Sequence, residues 1–347
     1  MILNQTVVEQ TIDGDLKGRF IKEIALARPD PESVPLAMVR KRRREGALRG
    51  AVLLVHGYGQ NRYAWHLPSR SFVNHLAHRG FDVFNLDLRG HGRSRHLGAR
   101  PPRNLADYVR EDLPCAVEEV LALSGFDRLF LVGHSLGGLI SYAAAASLGN
   151  VVAGIVTLGS PYQFTRGSRF LTHAGSAMLS LDRFLRLDDQ AVPLKAFGEA
   201  MRLARVFVES PIFPLPIRGY APKSMEPHIL GQHMSLAMDI GSVAVMRVLF
   251  RRAAQDRATG HRLGVLFGYA ASFEALDVPL LAIAGALDGL APPEAVRPAY
   301  ERSSSTDKTF RSFPRGHIDL LVGRDAPLTV WPVVSNWLVE RTPDRAG

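Results

Sequence analysis

Cysteine is nearly missing: Cys115 stands alone among 347 residues. No intrachain disulfide can form, and a reducing compartment fits. Its place in an expected helix marks Cys115 for core packing rather than nucleophilic chemistry. No stretch approaches the ~20 uninterrupted apolar residues of a membrane span. Residues 1–20 carry Glu9, Asp13 and Asp15 and no continuous apolar segment, so no secretory signal is expected there and the chain is expected in the cytoplasm. Internal repeats and low-complexity tracts are also lacking. The basic clusters are not interleaved with aromatics that could stack on bases, which argues against a nucleic-acid module.

Arginine, by contrast, is plentiful, and the formal net charge is +9. Arg40-Lys41-Arg42-Arg43-Arg44 is the densest run, and Arg89, Arg93, Arg95, Arg100 and Arg103 form a second. Such a balance admits transient contact with an anionic lipid surface or an acidic substrate. The run itself is expected as a solvated turn. Charge alone identifies neither a partner nor an oligomeric state.

Apolar strands alternate with amphipathic helices along most of the chain. Strands are expected at residues 33–41, 51–55, 81–86, 129–132, 151–158, 279–284 and 308–313, with helices at 71–79, 104–123, 136–148, 293–300 and 330–340. Asn104 suits the N-cap of the second helix and Gly125 its C-terminal stop. This rhythm is the mark of an α/β protein whose parallel sheet is covered on both faces. Between Ser160 and Leu276 the rhythm stops, over a length far beyond the usual ~2–6-residue connections of such sheets. The division expected is therefore a core in two parts, 1–159 and 277–347, with a helical cap or lid inserted at 160–276. The insert holds the proline-rich segment Pro211-Ile212-Phe213-Pro214-Leu215-Pro216. It also holds six of the eight methionines, Met178, Met201, Met225, Met234, Met238 and Met246. Met234 and Met238, at i and i+4, would share a helix face and could line an apolar substrate chamber.

Residues 133–137 read Gly133-His134-Ser135-Leu136-Gly137. They lie between the apolar run Leu129-Phe130-Leu131-Val132 and an Ala-rich helical stretch. Strand, sharp turn with serine, then helix is the layout that lifts a hydroxyl clear of a sheet edge. A serine needs an adjacent base, and the base needs an orienting group. In such a sheet the order is serine, acid, histidine, with each partner just beyond a late strand. Asp288 follows the strand ending at Ala284, and His317 follows the strand ending at Phe313. Asp277 lies at the wrong end of its strand, Asp319 is expected to bond locally, and the ring of His134 is expected to point away from the hydroxyl. The expected triad is Ser135, Asp288 and His317.

Acyl transfer also needs donors for an oxyanion. The backbone N–H of Leu136, next to the serine, is one candidate. The backbone N–H of Tyr58, in His56-Gly57-Tyr58-Gly59-Gln60-Asn61, is the other. Trp65, with Tyr63, is a candidate wall of an acyl pocket.

These motifs, with Asp87-Leu88-Arg89-Gly90-His91-Gly92-Arg93-Ser94 and Gly138, resemble the α/β-hydrolase superfamily over about residues 35–160 and 277–341. The resemblance implies a mostly parallel eight-stranded sheet, a triad working without cofactor or metal, and a cap that shapes the substrate site. Members that open epoxides or displace halide carry aspartate at the nucleophile turn, where this chain has Ser135. The tail from Gly316 through Trp331 and Trp337 is similar to polyester-synthase-like and acid-lipase-like proteins. The synthases place cysteine where this chain has Ser135. The expected activity is hydrolysis of apolar acyl esters, a small-molecule substrate class. Acyl transfer and cleavage of thioesters, lactones or amides remain open, as does a non-catalytic binding role on the same scaffold.

Overall fold

A computed structural model describes residues 1–28, 32–163, 191–203, 219–259 and 267–342. Met178 and the segment Pro211–Pro216 lie outside the described residues. The strands, in chain order, are β1 (Ile2–Asp13), β2 (Leu16–Ala27), β3 (Leu36–Arg43), β4 (Ala51–Val55), β5 (Asp82–Asp87), β6 (Leu129–His134), β7 (Val152–Leu158), β8 (Ala191–Val192), β9 (Gly241–Ser242), β10 (Leu280–Gly285) and β11 (Lys308–Phe313). Nine form one sheet in the order β1-β2-β3-β5-β4-β6-β7-β10-β11, while β8 and β9 pair separately. From β5 to β11 every neighbouring pair is parallel; β1, β2 and β3 join antiparallel at one edge.

The sheet is therefore mostly parallel and flanked by helices, but has nine strands where eight were expected. The added length comes from the β1–β2 hairpin, turned at Gly14 with φ +54°. Period-2 alternation in the central strands sends side chains to both faces. Leu53 and Val55 of β4 pack under the helices Leu113–Ser124 and Leu136–Leu148. Val52 and Leu54 pack with Trp65, Phe72, Trp331 and Trp337 on the other face, beside the helices Phe72–His78 and Val330–Val339. Each such fully buried apolar side chain contributes roughly 1.5–3 kcal/mol.

The helix expected at 104–123 begins with a capping box formed by Asn104 and Asp107 and contains a wider π-type stretch at Tyr108–Asp112. It ends at Gly125, whose φ of 70° is left-handed. Cys115 is buried there, and burial pushes its thiol up to about 12. No described helix is long and apolar enough to cross a membrane.

Of the basic run Arg40–Arg44, only Arg44 lies in a solvent-exposed turn. β3 continues to Arg43, and the Arg40 and Lys41 side chains are buried. Arg40 forks onto Asp82 with bonds of 2.9 and 2.6 Å, and its remaining nitrogen donates to Glu23 at 2.9 Å. Two carboxylates on flanking strands thus compensate a guanidinium that would otherwise be too costly to bury.

Between β7 and β10 the described segments are mainly helical: Leu194–Leu203, Pro227–Gln232, a π-type stretch His233–Ala237, and Val243–Thr259. Two sets of backbone hydrogen bonds are among their contacts with the core. Asn61 N–H donates to the Ala237 carbonyl at 3.0 Å, and Asp239 N–H to that of Gly59 at 2.8 Å. Ile318 N–H donates to the Gly219 carbonyl at 2.7 Å, and Arg324 N–H to that of Ser224 at 2.8 Å.

Candidate active site

Ser135 sits between the end of β6 and the helix Leu136–Leu148, with φ 52° and ψ −117°. A non-glycine residue with positive φ is strained and persists only where its surroundings hold it. Here the holding is visible. The Ser135 N–H donates to the Leu158 carbonyl at 3.0 Å, and its carbonyl accepts from the Gly138 N–H at 3.1 Å. The turn can be this tight only because its flanks lack side chains. A Cβ on Gly133 would meet the Gly138 nitrogen at 2.4 Å, and one on Gly137 would meet the Val55 carbonyl oxygen at 2.2 Å. The serine itself is half-buried.

Asp288 and His317 emerge from loops after β10 and β11. A Cβ on Gly285 would lie 2.3 Å from the Arg315 carbonyl oxygen, so these loops press together. His317 Nδ1 is 2.7 Å from Asp288 Oδ2, and both residues are buried. The other carboxylate oxygen accepts the Leu290 and Ala291 N–H groups, each at 2.8 Å. With Asp288 as acceptor, Nδ1 carries the proton and Nε2 is left with a lone pair. Gly159, just past β7 with φ +57°, lies beneath the pair: a Cβ there would be 3.0 Å from His317 Nδ1. Among the described residues the Ser135 hydroxyl makes no hydrogen bond to His317. Such bonds commonly tighten only when substrate is bound.

The loop after β4 lies against the serine, since a Cβ on Gly57 would be 3.1 Å from Ser135 Cβ. Among the described residues the backbone N–H groups of Tyr58 and Leu136 find no acceptor, although the Leu136 residue is buried. The Tyr58 ring turns away and its hydroxyl donates to the Ser242 carbonyl at 3.0 Å. Burial raises its phenol above the ordinary range. His56 is also internal. Its Nε2 accepts from Leu88 N–H at 3.2 Å, so Nδ1–H faces the Gly57 carbonyl, and burial lowers the ring to about 3.

Gln60 and Asp239 carry structural weight that the sequence motifs did not reveal. Gln60 Oε1 accepts the Gly57 N–H at 3.2 Å and lies 3.2 Å from His134 Nδ1. His134 Nε2 is 3.3 Å from the His317 carbonyl oxygen, and the two rings are 4.6 Å apart. The His134 ring thus joins the loop after β4 to the histidine loop rather than merely pointing elsewhere. Burial, with His317 beside it, holds this ring well below its ordinary range. Asp239 Oδ2 accepts from Gly92 N–H at 2.7 Å and from Asn61 Nδ2 at 3.2 Å. Nothing in a lone aspartate beside a methionine distinguishes it from a surface charge. Only its carboxylate's position between two core loops does.

The expected pocket residues fall in one apolar cluster, with Trp65 and Met234 buried in it and Met238 packed against it. Trp65 is 1% exposed and packs in the core, against Phe72 and edge-on to His134. Met234 is buried in the π-type stretch, whereas Met238 lies just beyond it in extended backbone, bridged to Gln60. The helical stretch ends at Ala237, and the chain runs extended from Met238 onward. Among the described residues no group of three His, Cys, Asp or Glu side chains is placed to hold a metal ion.

Comparison with known proteins fits this geometry. The chain is 26% identical over 308 residues to the poly(3-hydroxyalkanoate) polymerase subunit PhaC of Haloferax mediterranei, covering 84% of this chain and 59% of that protein. It therefore spans about three fifths of that relative's length. A pimeloyl-acyl-carrier-protein methyl ester esterase of Sodalis glossinidius is 28% identical over 261 residues, 74% of this chain and 82% of that one. The solved monoglyceride lipase of Saccharomyces cerevisiae superposes with TM-score 0.60 at 19% identity, covering 92% of this chain and 96% of that one. The model of the alpha/beta hydrolase fold matches residues 50–324, and the chain belongs to that family.

Proposed function

We propose that this chain is a serine carboxylic ester hydrolase acting on apolar acyl esters. The observation that carries the reading is the 2.7 Å bond from His317 Nδ1 to Asp288 Oδ2, formed beside the strained Ser135 turn. Asp288 fixes the tautomer that leaves His317 Nε2 free to accept a proton. Ser135 Oγ attacks the ester carbonyl as His317 takes its proton. The N–H groups of Tyr58 and Leu136 receive the developing oxyanion, a contribution commonly worth ~10²–10³ in turnover per donor. The imidazolium then protonates the leaving alcohol. Water, deprotonated by the same ring, releases the acid from the acyl-enzyme.

Residues 160–276 serve in this reading as the cap. Their support is the contact of Ala237 and Asp239 with the loop after β4, and of Gly219 and Ser224 with the loop after His317. The solved relative is a monoglyceride lipase and one curated relative is a methyl ester esterase, which favours esters over amides.

A second reading, transfer of the acyl group to an alcohol, is favoured by the likeness to the polymerase subunit over 84% of the chain. One experiment addresses both. Nitrophenyl esters of graded chain length are assayed with wild type and Ser135→Ala, with and without an added alcohol. Loss of turnover in a folded variant supports the nucleophile, whereas wild-type turnover in Ser135→Ala refutes it. An ester of the added alcohol in place of free acid would favour transfer.

A further inference from the structure

A cavity of about 480 Å³ opens on the antiparallel edge of the sheet, and none of the three triad side chains lines it. Its size falls within the ~300–1,000 Å³ of small-molecule sites. Lys17, Lys22, Lys41, Arg62, Arg93 and His66 contribute to its wall, and Glu9 is its one carboxylate. Arg62 is already neutralised by buried Asp87. Among the described residues Lys17, Lys22, Lys41 and Arg93 take part in no salt bridge.

The arrangement is costly unless something balances it. Lys22 of β2 and Lys41 of β3 stand directly opposite in the strand register. Like charges so placed destabilise a sheet. Lys41 is moreover fully buried and solvated only by neutral acceptors: Gln10 Oε1, Asn74 Oδ1 at 2.8 Å and His66 Nε2 at 3.2 Å. His66 Nδ1 lies 2.7 Å from Ser71 Oγ, a hydroxyl able to donate or accept, and the Lys41 ammonium, which can only donate, makes Nε2 the acceptor. These three contacts use all three ammonium hydrogens. Lys41 thus spends its donors on these contacts, while Lys17, Lys22 and Arg93 keep free donors. Contrast Arg40, one residue earlier, which has two carboxylates at hand. The strand compensates one buried cation fully and leaves its neighbour without a counter-charge.

We propose that this cavity is a binding site for a small molecule bearing a multiply charged phosphate group, held by Lys17, Lys22 and Arg93 above the buried Lys41. A polyanion beside Lys22 would favour the protonated form of Lys41, and cations set in low-dielectric walls concentrate field at such a site. Lysines bind phosphate as point charges without requiring a planar fork. The depressed basicity of Lys41, lowered to about 6 by burial and then by Lys22, agrees with a missing counter-ion.

Calorimetric titration of inorganic pyrophosphate into the full chain, at constant ionic strength, tests the site. Wild type is expected to bind saturably at one site. Lys22→Gln and Lys17→Gln, both at exposed or half-buried positions that tolerate change, should each weaken binding about tenfold, the ~1.4 kcal/mol of one lost charged contact. Arg44→Gln removes the same charge from an exposed turn and should leave affinity unchanged. Absence of saturable binding by wild type, or equal weakening by Arg44→Gln, overturns the proposal.

Discussion

Gly159 forms the floor under His317: a Cβ added there would stand 3.0 Å from the imidazole Nδ1 and 3.2 Å from Asp288 Oδ2. The Nδ1–Oδ2 bond itself is 2.7 Å, so an added methyl crowds both of its ends. The end of β7 therefore shapes the site without supplying any chemical group. Its left-handed φ of +57° lets the chain turn beneath the pair instead of into it.

Gly159→Ala should consequently harm turnover more than stability. The left-handed backbone alone costs about 1–2 kcal/mol for a residue with Cβ. Displacing a catalytic group by a fraction of an ångström to 1 Å commonly costs up to ~10² in rate. Ester turnover is expected to fall by at least about tenfold, with a melting temperature lowered by only a few degrees. Wild-type turnover in this variant would show that the floor does not hold His317 in place.

Asp288→Asn tests the tautomer directly. The Leu290 and Ala291 N–H groups both point at one carboxylate oxygen, which the asparagine Oδ1 must occupy. The Nδ2 amide then faces His317 Nδ1 and donates to it. That forces the imidazole proton onto Nε2, where it can no longer accept from Ser135. Turnover should drop on the order of 10⁴-fold with the fold retained, and KM for a nitrophenyl ester should change little. A loss below tenfold would mean that Asp288 does not set the proton's position.

How far the sequence reveals such relationships varies by element. Strands β4, β6 and β10 announce themselves as apolar runs because both their faces are covered. The order Ser135, Asp288, His317 is legible because each follows a strand end. β1 is not legible: Ile2–Asp13 is mostly exposed, and its side chains carry little pattern when neither face is well buried. The Arg40–Arg44 run misleads for a related reason. Its compensating groups, Glu23 and Asp82, are 17 and 42 residues away in sequence. Gln60 and Asp239 meet the site only through pairing between the loop after β4 and residues 237–239. The π-type stretch carrying Met234 ends at Ala237, and the backbone bonds of residues 237–239 draw the chain into extended form from Met238 onward.

Lys41 gives the pH prediction. Its ordinary value is 10.5, and burial, then the charge of Lys22, lowers it to about 6 in the folded chain. Between these values the unfolded chain holds a proton that the folded chain has released. Stability must then rise with pH across this window, because the unfolded state binds more protons. Lys41's contribution is complete above the unfolded value and is lost as pH falls toward the folded one. Lys41→Met, which fills similar volume without charge, should flatten this slope and raise stability most near neutral pH. The difference in urea midpoint between wild type and Lys41→Met, followed from about pH 6.5 to 9.5, should shrink steadily as pH rises. A difference that stays constant, or that widens toward alkaline pH, would mean that Lys41 keeps its proton in the folded chain and that a nearby group compensates its charge.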